Sequence, residues 1–285
     1  YLGAVVLALI AGLQLVALAF SASRGPFMGW LAGLMLFVLL CAIVLNRQKL
    51  ALGLIGLGLV GLGLLAAINI PNSPLAELRQ IAGASRFVQL AANPGDSASA
   101  RLLYWEGAAR LLMPQAPFEF PDGTADILSG VRPLIGYGTD TFYLTFDRFY
   151  PPELTHLASP ETMVVRSHNE TFDLLANTGI VGLLAYQLIL LSVLVCGFEQ
   201  LRLICNRRER NLFAAAWIGF GLLGGLATVV LGKPEYLGIA IPAGNLTALF
   251  LYLVMAALRM GRQRAETIAL GSDQMLVAAL LAGIL

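Results

Sequence analysis

The chain has 285 residues, of which 58% are hydrophobic and 12% charged, with a mean hydropathy of +0.78 and a formal net charge of +1. That balance is too apolar for a soluble globular domain and makes the bilayer the expected solvent. The net charge gives no reason to invoke nucleic acid, and Cys41, Cys196 and Cys205, all in or beside apolar runs, imply no disulfide framework.

Apolar runs long enough to cross a hydrocarbon core cover about residues 1–20, 27–45, 50–70, 174–198, 212–231 and 237–258, and a seventh runs from about residue 273 to Leu285. The expected fold is an all-α polytopic membrane protein of about seven transmembrane helices. It divides into residues 1–70 with three helices, a large and partly helical loop over 71–172, and residues 173–285 with the remaining four. Tyr1 opens inside an apolar run, without an initiator Met or a charged leader region, so the chain is expected to be an excerpt of a longer polytopic protein.

Short cytoplasmic loops collect Lys and Arg. Arg47 and Lys49 follow the second run, Arg202, Arg207, Arg208 and Arg210 the fourth, and Arg259, Arg262 and Arg264 the sixth. Those turns are assigned to the cytoplasm. Alternation then puts the turn at residues 21–26, the long loop and the turn at residues 233–236 together on the opposite side, so that Arg24 and His168 share one face.

Small residues punctuate the runs. Gly53, Gly56, Gly58, Gly61 and Gly63 in the third and the Gly221-x-x-x-Gly225 spacing in the fifth suit close helix packing. Pro242, Gly244 and Asn245 interrupt the sixth, where a buried Asn must find a partner; the interruption either lines a cavity or supplies packing polarity.

The loop carries turn signals at Pro71-Asn72-Ser73-Pro74, Asn93-Pro94-Gly95, Pro121-Asp122-Gly123 and Pro151-Pro152. Between them, residues 99–113 predict an amphipathic helix with Leu102, Trp105, Ala109 and Leu112 on one stripe. With its aromatics, this helix favours an ordered cap lying on the membrane. Ser167 and Glu170 fit a Ser-x-x-Glu capping box, with Ser167 as N-cap and His168 as the first residue of the following helix. The dipole of such a helix end disfavours imidazolium and attracts anions. His168 is then either a general base or an interfacial histidine without a role.

Every basic residue of the loop is an arginine: Arg79, Arg86, Arg101, Arg110, Arg132, Arg148 and Arg166. Guanidinium forks match phosphate oxygens. Arg24, in Ser23-Arg24-Gly25-Pro26, is either a ligand of the same kind or a snorkelling side chain. No Asp-x-Asp pair and no Cys/His spacing in the loop suggests a metal site, and no cofactor is expected. Gly136-Tyr137-Gly138 lacks the strand–helix context of a nucleotide loop and reads as a tight turn at the membrane surface.

Taken together these residues resemble the O-antigen ligase and polymerase superfamily, bacterial inner-membrane glycosyltransferases. His168-Asn169, nine residues, Gly179, two residues and Gly182 fit the ligase pattern of His-Asn/Ser/Gln, nine residues, Gly, two residues and a small or Tyr position. Ser23-Arg24-Gly25 looks like the family's Ser-Arg-Gly, and Arg101 to Trp105 followed by Pro133-Leu134-Ile135-Gly136-Tyr137-Gly138 looks like its Arg…Trp segment and Pro-Leu-x-Gly-x-Gly turn. Four elements agree in order and sidedness over about residues 20 to 260.

The resemblance implies a multi-pass inner-membrane enzyme that transfers a glycan from undecaprenyl pyrophosphate, on the periplasmic side and without a metal ion, to a hydroxyl of lipid A core, another glycan or a protein. His168 would be the base, Arg24 and Arg101 would hold the pyrophosphate, and Asn169, Gly136, Gly138 and Gly179 would support the site. Arg86 with Leu90 four positions on fits the family's second arginine literally, so Arg86 competes with Arg101 for that role. A polymerase joining lipid-linked repeats and a protein O-oligosaccharyltransferase are alternatives within the superfamily, and a lipid-linked glycan transporter is the alternative outside it.

Overall fold

The structure is a computed structural model that describes residues 2–21, 24–70, 73–75, 96–119, 123–157, 163–260 and 271–284. Its helices, in chain order, are α1 (Leu2–Phe20), α2 (Arg24–Val44), α3 (Gln48–Asn69), α4 (Asp96–Leu112), α5 (Arg132–Ile135), α6 (Phe142–Phe146), α7 (Glu170–Gln200), α8 (Arg207–Val230), α9 (Leu237–Met260) and α10 (Ser272–Ile284). Among the described residues the β structure amounts to one isolated bridge, Glu119 to Ala125.

Among the described residues five helices are long and apolar enough to span a bilayer: Gly25–Val44, Gln48–Ile68, Glu170–Gln200, Arg207–Val230 and Pro234–Arg259. Seven were expected, and the two further apolar helices, Leu9–Phe20 and Asp273–Ile284, are shorter. The chain is therefore a helical, multi-pass membrane protein. Its large apolar side chains are exposed along the spans, Leu57, Leu62, Ile189 and Leu222 among them, because lipid rather than water meets them.

Two compact units divide the chain, one comprising residues 1–93, 197–203 and 254–285, the other 94–196 and 204–253. In the first, α2 packs on α10, and the backbone of Gly33 lies so close to the Ala282 carbonyl that an added Cβ would sit 2.9 Å from it. Leu40, Ala42, Ala51 and Leu281 are buried there.

The second unit holds the loop from residue 94 onward and the candidate site. Its core gathers Ala100, Tyr104, Ala108 and Leu111 of α4 against Phe142, Phe146, Leu154 and Phe172. The fully buried stripe of α4 is thus partly offset from the one expected: Ala109 is buried in it, while Leu102, Trp105 and Leu112 are only half-buried. α4 packs against both Phe142–Phe146 and the Pro234–Tyr236 turn, which widens its apolar face beyond a single stripe.

Within the same unit, the glycine-rich spacing of α8 brings it onto α9: a Cβ on Gly224 would collide with the Ala240 carbonyl and one on Gly244 with the Phe220 carbonyl. Asn245, buried, donates to the Trp217 carbonyl at 3.0 Å, and the Trp217 indole donates to Gln187 Oε1 at 3.1 Å. The polar break in the sixth run is packing polarity that ties α7, α8 and α9 together.

Candidate functional site

The site is built where α7 begins. The helix starts at Glu170 rather than at His168, and its N-cap is Asn169. Asn169 Oδ1 accepts from the backbone N–H of Thr171 at 3.1 Å and Phe172 at 3.4 Å, while its carbonyl accepts the first helical bond, from Asp173, at 2.8 Å. Ser167 is not the cap. It is fully buried, and both its N–H and its hydroxyl donate to Asp173 Oδ1 at 2.7 Å. Glu170 stays exposed, so the expected Ser167/Glu170 box does not form. A side-chain cap with a glutamate three positions on does occur at Asn206, which accepts from Glu209 N–H at 2.9 Å.

His168 is consequently left between two anchored neighbours, outside the helix, with a φ of +57°. Of the other non-glycine residues with positive φ, Asp140 is of a type that visits this region routinely, and Asn46 and Arg202 follow helix C-termini, where closing bonds such as Arg47 N–H to the Ala42 carbonyl (2.8 Å) and Leu203 N–H to the Phe198 carbonyl (2.8 Å) account for it. No helix precedes His168. A positive φ costs an L-residue about 1–2 kcal/mol, and such strain persists only where the surroundings over-determine it. Here they do: Asp173 holds Ser167 from below, Trp105 Nε1 donates to the Ser167 carbonyl at 3.1 Å, and the Asn169 amide donates to the Gly238 carbonyl at 3.1 Å. The imidazole is exposed and lies beside the Tyr104 ring, centroids 6.0 Å apart. Among the described residues it makes no hydrogen bond.

Arg101 stands one helical turn before Tyr104 and Trp105 on α4, on the side of that helix that touches residues 167 and 168. Its side chain is exposed, and among the described residues it has no ion-pair partner. Three other loop arginines are engaged, while Arg166 is exposed like Arg101. Arg132 forms a two-pronged pair with buried Asp126, Nε to Oδ2 at 2.7 Å and Nη2 to Oδ1 at 3.0 Å, and a third bond to the Gly136 carbonyl at 3.2 Å. Arg148 donates to the carbonyls of Ala116 (3.0 Å) and Pro117 (3.2 Å), and Arg110 pairs with Glu106. The Arg132 guanidinium holds the Asp126 carboxyl below the usual carboxylate range against the opposing effect of burial, and is itself raised by Asp126. Burial pushes the Tyr137 hydroxyl up.

Gly136 and Gly179 form a reciprocal clamp. α7 is broken at Gly179 (φ 66°, ψ −167°), and Gly136, capping α5, has nearly the same conformation (φ 74°, ψ −176°), a region essentially closed to side chains. A Cβ on Gly136 would enter the Asn177–Thr178 peptide, and one on Gly179 would enter the Leu134–Ile135 peptide. The break frees helix carbonyls, and the turn satisfies them: Tyr137 N–H donates to Ala176 O at 2.8 Å and Gly138 N–H to Asn177 O at 3.0 Å. Gly182 leaves room for Thr178, whose hydroxyl turns back to the Leu174 carbonyl at 2.8 Å.

The structure thus brings together His168, Asn169, Arg101, Gly136, Gly138 and Gly179 in one unit. Arg24 opens α2 in the other unit, and Arg86 lies outside the described residues. Tyr104 and Asp173 were not expected from sequence; the Tyr104-Trp105 pair after Arg101 and the acidic residue one turn past Asn169 were the available signals. Among the described residues no three His, Cys, Asp or Glu side chains gather as metal ligands. No family model, curated protein or solved structure matches the chain.

Proposed function

We propose that this protein is a membrane glycosyltransferase of the O-antigen ligase kind, moving a glycan from undecaprenyl pyrophosphate to an acceptor hydroxyl on the periplasmic face of the bacterial inner membrane, without a metal ion. The observation that carries the reading is His168: an exposed imidazole on a strained backbone, gripped on both sides and free of hydrogen bonds among the described residues. Beyond the ring contact with Tyr104, no interaction in the fold asks for a histidine there.

In this scheme the acceptor hydroxyl gives its proton to the imidazole as its oxygen attacks the anomeric carbon. The bond from that carbon to the pyrophosphate oxygen breaks, the electron pair leaves with the pyrophosphate, and the configuration inverts. Arg101 takes up the developing charge, and Arg24 and Arg86 are the other arginines that the resemblance names for the pyrophosphate. Asp173, Trp105 and Asn169 hold the histidine rather than touch substrate. A polymerase or a protein O-oligosaccharyltransferase would use the same chemistry with another acceptor.

One observation favours a second reading. Two of the described spans carry an interruption of their hydrogen bonding, α7 a backbone break at Gly179 and the otherwise continuous α9 a proline at 242, and broken helices are a mark of transporters. Both interruptions lie near the loop-facing ends of their helices rather than at the midplane, which suits a site at the membrane surface.

The test is transfer by the intact purified protein from an undecaprenyl-pyrophosphate glycan to a panel of lipid A core, glycan and protein acceptors, with and without chelator. Expected are transfer that survives chelation, loss of transfer in His168→Ala with donor binding retained, and weakened donor binding in Arg101→Ala. Vesicle-to-vesicle movement of donor without transfer to any acceptor would establish the transporter instead.

A further inference from the structure

Residues 127–135 are folded inside out for a segment facing water. The charged side chains of the neighbourhood, Asp126 and Arg132, turn inward to one another, while the aliphatic ones turn out: Ile127 is 95% exposed, Leu134 49%, Ile135 47% and Val131 41%. A water-facing loop presents the opposite arrangement, and contiguous exposed apolar side chains mark a surface that meets something apolar.

The level at which this segment sits follows from α7. Before Gly179 the helix carries Glu170, Thr171, Asp173, Asn177 and Thr178; after it, no charged residue occurs until Glu199. Residues 180–200 rise about 31 Å at 1.5 Å per residue, the thickness of a hydrocarbon core of about 30 Å. Gly179 therefore marks the edge of the hydrocarbon on the loop side. Residues 134–138 are fastened to that edge by the Gly136–Gly179 clamp and by the bonds from Tyr137 and Gly138. Directly below, Ile180, Val181 and Leu184 of α7 are exposed to lipid. The end of the apolar segment, Leu134–Ile135, lays its backbone against Gly179, next to these exposed side chains.

We propose that residues 127–135 dip into the leaflet beside Gly179, placing Ile127, Val131, Leu134 and Ile135 among the lipid acyl chains. The occupant of this surface is bilayer lipid, and the segment anchors the loop at headgroup depth. This inference stands apart from the proposed chemistry.

The experiment uses the intact protein in nanodiscs of phosphatidylethanolamine and phosphatidylglycerol. A nitroxide is placed at Ile127→Cys in a Cys41→Ala, Cys196→Ala, Cys205→Ala background, with Val181→Cys and Glu153→Cys as lipid and water references. Accessibility to oxygen above that to a nickel chelate, as at Val181, is expected. The nickel-accessible pattern of Glu153 would overturn the proposal, as would exclusion of both reagents, which would mean that protein covers the segment. If the cysteine-free background does not fold, Ile127→Trp in the native background gives the same answer. Brominated lipid should quench a larger share of its fluorescence than in the parent protein, and an unchanged share would refute the insertion.

Discussion

The Asn169 side-chain amide donates to the Gly238 carbonyl, and the residue that leaves this carbonyl without a helical partner is Pro242. In an α-helix the carbonyl of residue 238 would accept from the N–H of residue 242, which proline lacks. Asn169 thus caps one span and repairs another, and Gly238 admits it because a Cβ would lie 2.5 Å from that amide.

Asn169→Ala removes the cap and strands the Gly238 carbonyl, and should cost about 2 kcal/mol of stability. Asn169→Ser keeps a capping oxygen but cannot reach Gly238, and should cost about half of that. In a Pro242→Ala background the helix supplies its own N–H to Gly238, so the serine variant should then cost little. Thermal unfolding of the four proteins in detergent measures the coupling; strictly additive losses would refute the repair.

Gly136→Ala and Gly179→Ala should each destabilise severely, by about 3 kcal/mol or more, because each combines a forbidden backbone region with collision against a peptide. Gly138→Ala should be milder, since its Cβ meets only Thr141 Cγ2 at 3.6 Å. Gly130→Ala, which faces open space, should be neutral. Folded yield and unfolding temperature rank the four.

Five of the seven expected spans were legible from apolar run length and the α4 helix from periodicity, because both are local patterns. The cap was not. Ser167 and Asn169 are equally good capping residues in isolation, and what separates them is remote: Trp105 on the Ser167 carbonyl, Asp173 on its N–H and hydroxyl, Gly238 on the Asn169 amide. The glycines of Gly136-Tyr137-Gly138 and Gly179 were visible as special positions, but their mutual fit depends on two positive φ values meeting across the fold. The arginine pattern was readable only as a set; Asp126 and two backbone carbonyls withdraw Arg132 and Arg148 from it.

Asp126, with its carboxyl held low by Arg132, contributes stability that is fully present above the unfolded carboxyl pKa of about 4 and is lost as pH falls through the lower folded value. Asp126→Asn should therefore lower the unfolding temperature by a constant amount between about pH 5 and 8, equivalent to about 2 kcal/mol. The gap should close only in stronger acid. A gap that narrows near neutrality would contradict the assignment.

Arg101→Ala should fold like the parent protein, within about 0.5 kcal/mol, because its side chain is exposed and unpaired among the described residues. Arg132→Ala should lose about 2 kcal/mol by stranding Asp126. Donor binding and unfolding, measured together, should thus separate the two arginines.

The most direct measurement is glycan transfer by His168→Gly beside its unfolding temperature. Glycine adopts a positive φ without strain, so this variant should fold at least as well as His168→Ala, while transfer from the undecaprenyl-pyrophosphate donor should be lost in both. Transfer by His168→Gly at the parental rate would remove the imidazole from the chemistry and contradict the account.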